Sequence, residues 1–462
     1  MPSIKHEAAR CLKCKKPMCA ANCPVSTQIP EIMNLFLEGK IAEAGRILFE
    51  NNPLSAITSV ICPHERNCLG HCVLGNKGGP VEFFRVEEYI SRYYLETMEV
   101  PDIRKNGIKV AVSGAGPAGL SMTMQLLMKG YDVTLFEAQE NIGGVLRYGI
   151  PPFRLPRDLL DMYKDIMIRM GLKFRPNTRI GANIEIDDLF LDGYKAVFVA
   201  TGTGRPNKLG LLGETLGHVH FAIDYLKSPE TLELGNRVAV VGAGNVAIDA
   251  ARTAVRRQHS HVTILHYKGE EDVTANHDEI EMAEIDGVEF VHYAQAVRIL
   301  EDCVRCVRVL KKEDEDGNTV FEEDYSETFD VPADSVILAI GQGPGADMNT
   351  GTVKLTQKGL LDVNEWGETS TPGVFAAGDI VTGPKTVVEA VAFTKKSIHP
   401  PGGISEKPVK ESNKPRVIRR GVFICCFCAI LLLLLTLSLY CLIRYLFFMA
   451  MAISTDTSSR NG

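Results

Sequence analysis

The chain has 462 residues, 45% of them hydrophobic and 23% charged, which is ordinary for a globular enzyme and enough for two or three domains with cores of their own. A net charge of −7 and a pI near 5.9 argue against a general binder of nucleic acid or anionic lipid, since those need a broad basic field to neutralise phosphates. The thirteen cysteines are unevenly placed: seven lie between Cys11 and Cys72, two are Cys303 and Cys306, and four follow residue 421. The first residues are polar and charged, unlike a secretory signal, so cofactor ligation in a reducing compartment is expected in preference to a disulfide framework.

Residues 1–105 read as a small α-helical domain wrapped around its ligands. Pro30 opens a helix on which Ile32, Leu35 and Phe36 share a face, and Asn51-Asn52-Pro53 stops the next. The first cysteine run is Cys11-x2-Cys14-x4-Cys19-x3-Cys23-Pro24, and a second set follows as Cys62-x5-Cys68-x3-Cys72. In ferredoxins three closely spaced thiolates hold one cubane while the fourth, before proline, reaches a different cluster. The same logic assigns Cys11, Cys14 and Cys19 to one iron–sulfur cluster and Cys23 to another, completed by the second set. Seven thiolates leave two four-iron clusters one ligand short. Structural zinc, which also takes C-x2-C pairs, is the competing reading.

From Ile108 the pattern becomes strand, glycine turn, helix, strand, and it returns from Arg237. In the first unit Val110-Ala111-Val112 runs into Gly114-Ala115-Gly116-Pro117-Ala118-Gly119 and then a helix. The first glycine allows the tight turn, the second lets backbone approach a pyrophosphate, and the third lets helix and strand pack closely. Glu137 follows the strand Val133-Thr134-Leu135-Phe136, where a carboxylate can accept hydrogen bonds from the adenosine ribose hydroxyls.

The second unit has Val238-Ala239-Val240-Val241 before Gly242-Ala243-Gly244-Asn245-Val246-Ala247, with alanine in place of the third glycine. Its next strand, Val262-Thr263-Ile264-Leu265, ends in His266-Tyr267-Lys268, so the acidic ribose partner is missing and Lys268 is available to a 2′-phosphate. On charge NADP is favoured over NAD, although Arg256, Arg257 and Lys268 equally suit a solvated surface. Two such units with no acid–base pair or hydrolase motif point to a flavin and a nicotinamide facing one another for hydride transfer. Cys303 and Cys306 have no second pair nearby and read as packing or incidental residues.

The fold class is therefore α/β: the helical iron–sulfur domain, a first dinucleotide-binding domain of residues 106–230 and 345–399, and a second of residues 231–344. Residues 400–420 read as a flexible Pro- and Lys-containing linker. Beyond it, residues 421–453 read as a transmembrane segment, because Gly421 to Ile443 carry no charged side chain and suffice to cross a ~30 Å hydrocarbon core. Lys414, Arg416, Arg419 and Arg420 before it place the catalytic body on the cytoplasmic face. A buried hydrophobic helix is the alternative.

With these motifs in hand, residues from about 7 to 392 resemble the small-subunit family of NADPH-dependent glutamate synthase. They are also similar to the N-terminal half of dihydropyrimidine dehydrogenase and the related ferredoxin:NADP oxidoreductase subunits. The resemblance is carried by Arg10-Cys11-Leu12-Lys13-Cys14, the pairs Cys23-Pro24 and Cys62-Pro63, and Gly143-Gly144-Val145-Leu146-Arg147-Tyr148-Gly149-Ile150-Pro151. Phe153-Arg154-Leu155-Pro156, Ala200-Thr201-Gly202 and Ala376-Ala377-Gly378-Asp379 complete it.

The resemblance implies FAD in the first unit, with Glu137 at the adenosine ribose, Gly143 and Gly144 beside the cofactor, and Gly378-Asp379 at the ribityl chain. It implies NADPH in the second unit and two [4Fe–4S] clusters, one on Cys11, Cys14, Cys19 and Cys72, the other on Cys23, Cys62 and Cys68. The missing ligand aligns with Glu87, which reads either as that ligand or as an exposed surface charge. Two departures stand out: Tyr267 and Lys268 replace two arginines of the family, and Asn276 a third, which weakens the expectation for NADPH; and the chain diverges from the family after Phe393. The expected function is an NAD(P)H-dependent flavin and iron–sulfur oxidoreductase that serves a partner subunit or a ferredoxin. The alternatives are an accessory subunit of a dihydropyrimidine dehydrogenase or ferredoxin:NADP complex and, from another class, a degenerate membrane-tethered redox scaffold.

Overall fold

The computed structural model describes residues 3–182, 184–259, 261–345 and 353–398. The linker and apolar segment expected over 400–453 lie outside the described residues. Among the described residues no helix is long and apolar enough to cross a membrane.

The first hundred residues are helical. Pro30 sits in the first turn of Ile29–Leu37, where a missing N–H costs nothing, and Asn52 ends the next helix, Ile41–Asn51. The buried face of Ile29–Leu37 differs slightly from expectation: Ile29, Ile32 and Met33 are its centre, while Leu35 and Phe36 are half-buried. The i, i+3, i+4 spacing accounts for this, since one face can hold only one such set at full depth. Phe83–Thr97 packs Phe83, Val86, Ile90 and Leu95 inward, and Glu87 lies on that same stripe.

Two five-stranded sheets follow, each wholly parallel. The first orders its strands Val374–Ala376, Ala196–Val199, Lys109–Ser113, Asp132–Phe136 and Lys173–Arg175. The second orders Val219–Phe221, Ser335–Leu338, Arg237–Val241, His261–Leu265 and Glu289–Val291. The central strands are continuous runs of Val, Ala, Ile and Leu, as sheets covered on both faces require. The second sheet is inserted into the first: the chain leaves after Ala196–Val199 and returns for Val374–Ala376. Arg205–Pro206 and Gln342–Gly343 pair antiparallel where it crosses out and back. A three-stranded antiparallel sheet, Ala294–Ile299, Cys303–Glu313 and Thr319–Pro332, flanks the second sheet. Cys306 is buried in the core between them, so this cysteine is a packing residue.

The helical region and the first sheet share a core. Val25, Phe49, Leu54 and Ile57 pack into the same cluster as Val110, Val112, Leu120 and Leu135. The final helix, Val387–Ser397, closes that layer behind a capping box in which Thr386 and Glu389 exchange hydrogen bonds. Its Thr394 hydroxyl meets Ser121 at 2.8 Å, and its Lys395 donates to Asn51 at 2.6 Å.

Candidate functional site

The seven N-terminal thiols fall into two groups. Cys11, Cys14, Cys19 and Cys72 lie within electrostatic reach of one another, and Cys23, Cys62 and Cys68 form a second set together with Glu87. Cys11, Cys19 and Cys72 pack against the helical domain's own core, as Cys68 of the second set does, whereas Cys23 and Cys62 sit against the core shared with the first sheet. Burial pushes the Cys19 thiol up to about 11, Cys62 to about 12, and Cys68 further still. In such surroundings the thiols stay protonated unless a positive centre draws off the protons. The sulfurs also receive N–H donors: Asn67 Nδ2 to Cys62 at 3.1 Å, Val81 N–H to Cys72 at 3.4 Å, and backbone N–H groups of Lys13 and Ala20 to Cys11 and Cys19. Donors aimed at sulfur suit an anionic cluster.

The spacing argues against zinc. Thiolates around one tetrahedral zinc stand about 3.8 Å apart, as 2.3 Å bonds dictate. Among the described residues the only three His, Cys, Asp or Glu side chains with ligand atoms all within 4.8 Å are Glu65, His277 and Asp278, which are exposed; no three thiols meet that limit. The thiols surround a larger space than one ion fills.

Glu87 is not a surface charge. It is 8% exposed, and its carboxyl makes no hydrogen bond or ion pair among the described residues. Burial alone raises its pKa to about 8, and its charge in turn acts on Cys62 and Cys68. An unpartnered carboxyl of this depth costs several kcal/mol unless something binds it. The donor set of three thiols and one carboxylate therefore fits a four-iron cluster, as the four-thiol set does.

Both glycine turns are built alike. Gly114 has φ +101° and Gly242 φ +115°, and a Cβ on either would come within 2.4 Å of a carbonyl, that of Ala200 or Ala339. Gly116 and Gly244 precede the helices Pro117–Met128 and Asn245–Arg256; a Cβ on the first would point into open space and one on the second would meet only Thr274. The free N–H groups of these helix ends face open space, an arrangement that takes a pyrophosphate. A Cβ at Gly119 would lie 1.8 Å from the Gly114 carbonyl, whereas the equivalent Ala247 is accommodated and fully buried.

The units part company at the next strand end. Glu137 is buried; its oxygens accept the N–H groups of Ala115 at 2.7 Å and Gln139 at 2.8 Å, which ties the strand end to the glycine turn. Burial still holds its pKa above the usual carboxylate range. Gly143, with φ +125°, donates to the Ala115 carbonyl, and Gly144 packs on Gly116, so both line the turn. Gly378 packs on Ala118, and the Asp379 carboxyl behind it, raised to about 6 by burial, accepts the Lys385 N–H at 3.2 Å.

In the second unit Lys268 is not simply solvated: its ammonium stands over the rings of Tyr267 and Phe321, 5.2 and 5.1 Å from their centroids. Arg256 is likewise engaged, with Asp286 at 2.9 Å and the Phe153 ring at 4.4 Å. Asn245 accepts the Asn276 N–H at 2.9 Å, and Val246 is half-buried behind it. A cleft of about 700 Å³ runs from Cys62 and His64 to Asn276 and Phe290, with Asp278, Glu279, Glu281 and Glu284 among its lining.

Sequence reasoning missed the bond between the two units. Arg154, in the loop after Gly149, reaches both oxygens of Asp249 at 2.7 Å on the second unit's first helix. Its Nε stands 2.7 Å from Glu279 in an ion pair too bent for a hydrogen bond. Arg252 then bridges Glu279 at 2.6 Å and Asp286 at 2.9 Å. The lone acid at position 249, amid a helix of Ala and Val, was the available signal.

Residues 108–393 match the pyridine nucleotide-disulphide oxidoreductase family, and residues 2–99 match dihydropyrimidine dehydrogenase domain II, 4Fe-4S cluster. The NADPH glutamate synthase small chain of Escherichia coli (strain K12) is 34% identical over 423 residues, spanning 85% of this chain and 89% of its own length. Its counterpart from Azospirillum brasilense is 33% identical, over 84% and 86%. The NAD-dependent dihydropyrimidine dehydrogenase subunit PreT of Salmonella typhimurium (strain LT2) is 30% identical, over 85% and 92%. Among solved structures, FprA from Mycobacterium tuberculosis in complex with NADPH superposes with a TM-score of 0.55, covering 63% of this chain and 84% of its own. At 18% identity that likeness speaks for the fold.

Proposed function

The chain belongs to the pyridine nucleotide-disulphide oxidoreductase family, in its glutamate synthase small-chain branch, and from that premise we propose how its residues serve an NAD(P)H-dependent flavin and iron–sulfur oxidoreductase. Reducing equivalents from NADPH are delivered to a partner subunit. When bound, FAD exchanges a hydride for single electrons and the [4Fe–4S] clusters carry those one at a time.

Gly114, Gly116, Pro117, Ala118 and Gly119 cradle the FAD pyrophosphate, Glu137 holds the turn and faces the ribose, and Gly143, Gly144, Gly378 and Asp379 border the rest of the cofactor. Gly242, Gly244, Asn245 and Val246 do the same for NADPH, with Lys268 as the cation nearest its 2′-phosphate. Cys11, Cys14, Cys19 and Cys72 hold one cluster; Cys23, Cys62, Cys68 and Glu87 hold the other. The observation that carries this reading is Glu87, an unpartnered carboxyl buried where three thiols lack a fourth companion.

A second reading, an accessory subunit of a dihydropyrimidine dehydrogenase, is favoured by the match of residues 2–99 and by the PreT relative. Co-purification with a synthase-type or a pyrimidine-reducing partner separates the two. Residues 421–453 are read as a membrane anchor on their charge-free run of 23 positions alone; carbonate-washed membranes that retain no protein would refute it.

The deciding experiment is the absorption spectrum of anaerobically purified protein, with flavin and iron quantified, before and after NADPH. Flavin bands over broad iron–sulfur absorbance, bleached by NADPH, are expected. Bound flavin without iron, or no bleaching, overturns the reading in favour of zinc ligation or a degenerate scaffold.

A further inference from the structure

The two thiol groups differ in what surrounds them. Cys23 and Cys62 lie toward the core shared with the first sheet. The cavity bordered by Cys11, Cys14, Cys19 and Cys72, which Cys68 also reaches, is lined by Leu12, Met18 and Val73. These three apolar side chains are 61%, 50% and 42% exposed. Large apolar groups left in water around one opening mark a contact surface when they are contiguous.

The segment that carries this collar is basic in sequence, although Glu31 and Glu38 stand on and beside the helix Ile29–Leu37, whose Asn34 links Lys13 to Glu38. The first thirty residues hold Lys5, Arg10, Lys13, Lys15 and Lys16 against one acid, Glu7, which is buried and paired with Arg10 at 2.7 Å, while the whole chain carries −7. Lys13, Lys15 and Lys16 are exposed and alternate with the collar residues. Lys13 donates to Asn34 at 2.6 Å; Lys15 and Lys16 have no partner among the described residues. A basic rim attracts an acidic face, and long-range attraction of that kind governs encounter rates.

We propose that Leu12, Met18 and Val73, rimmed by Lys13, Lys15 and Lys16, form the docking surface for an acidic redox protein carrying its own one-electron centre. The inference rests on the iron–sulfur reading above. The exchange is minimal: one electron, drawn ultimately from NADPH, leaves this chain and one enters the partner, with no bond formed and no proton moved. Because tunnelling falls off exponentially with distance, the half-exposed four-thiol group is the side of the molecule that a partner must reach.

The test uses a plant-type [2Fe–2S] ferredoxin of acidic surface as probe on the full chain. Zero-length carbodiimide cross-links should map to Lys15 and Lys16, and calorimetric affinity should fall steeply as salt rises. Lys15→Glu with Lys16→Glu should weaken binding at least tenfold, and Leu12→Ser with Met18→Ser should do so without changing the salt dependence, while NADPH-dependent reduction of a small dye keeps its rate. Full iron content with cross-links elsewhere, with a second copy of the chain as the cross-linked species, or with affinity unmoved by charge reversal overturns the docking surface alone. A preparation that holds flavin but no iron overturns the iron–sulfur reading and this surface with it.

Discussion

The two dinucleotide units share the order of four parallel strands and a glycine turn, yet they solve the same packing problem with different tolerances. In the first, Gly119 lies so close to the Gly114 carbonyl that no side chain fits, and Glu137 pins the turn from below. In the second, Ala247 occupies the equivalent place and the strand ends in Tyr267 and Lys268 over an aromatic ring. The first unit is a tightly determined cradle and the second a looser one. This suits a cofactor that stays and a cofactor that comes and goes.

The comparison can be broken most severely at the bond between the units. Asp249→Ala leaves the Arg154 guanidinium buried beside one remaining carboxylate, and should cost about 3–5 kcal/mol of unfolding free energy in denaturant titrations. Adding Arg154→Met should recover much of that loss, because an apolar pair of similar volume needs no counter-charge. Gly119→Ala comes next: a Cβ 1.8 Å from a carbonyl must displace helix from strand, so about 3 kcal/mol and most bound flavin should be lost, by calorimetry and flavin release. The reverse change in the second unit, Ala247→Gly, should cost only about 1 kcal/mol. Equal losses in both would erase the distinction drawn here.

Smaller effects sharpen it. Asp379 has a folded pKa of about 6 against a usual value of 3.8, so between these values the folded state binds more protons than the unfolded. Its contribution to stability therefore falls as pH rises from about 4 to 6 and stays low above that. In flavin-free protein, Asp379→Asn should gain up to about 2 kcal/mol over the parent at pH 7 and almost nothing at pH 4. Urea titrations at both pH values decide this, and a gain independent of pH would assign it to packing. Least of all, Lys268→Gln should raise the KM for NADPH two- to fivefold and leave that for NADH unchanged, since a half-solvated cation contributes about 0.5–1 kcal/mol.

What was legible in the sequence was local. Gly114, Gly242 and the strands before them declare themselves because a positive φ and a close backbone approach are written in adjacent residues. The cysteine spacing separated Cys23 from Cys11, Cys14 and Cys19, but nothing in spacing alone drew Cys72 away from Cys62 and Cys68; that grouping needs the fold of the 62–83 segment, and only the family likeness suggested it. Glu87 was half-legible: it falls four residues after Phe83 and three before Ile90, on the apolar stripe of its helix, and the stripe should have contradicted the surface reading. The Arg154–Asp249–Glu279 network was legible only as a lone acid at position 249, because its members meet only after two sheets have formed.

The inserted topology has a consequence for biosynthesis. A ribosome releases residues 219–338, and with them the whole second sheet, before it releases Val374–Ala376, the edge strand of the first, and Asp379 behind it. The inserted unit is thus complete before the unit that contains it, and the first dinucleotide unit, begun at Lys109, is finished only after the second. Stalled nascent chains whose emerged part stops short of Val374 should retain no flavin, and chains extended past Ser397 should retain it.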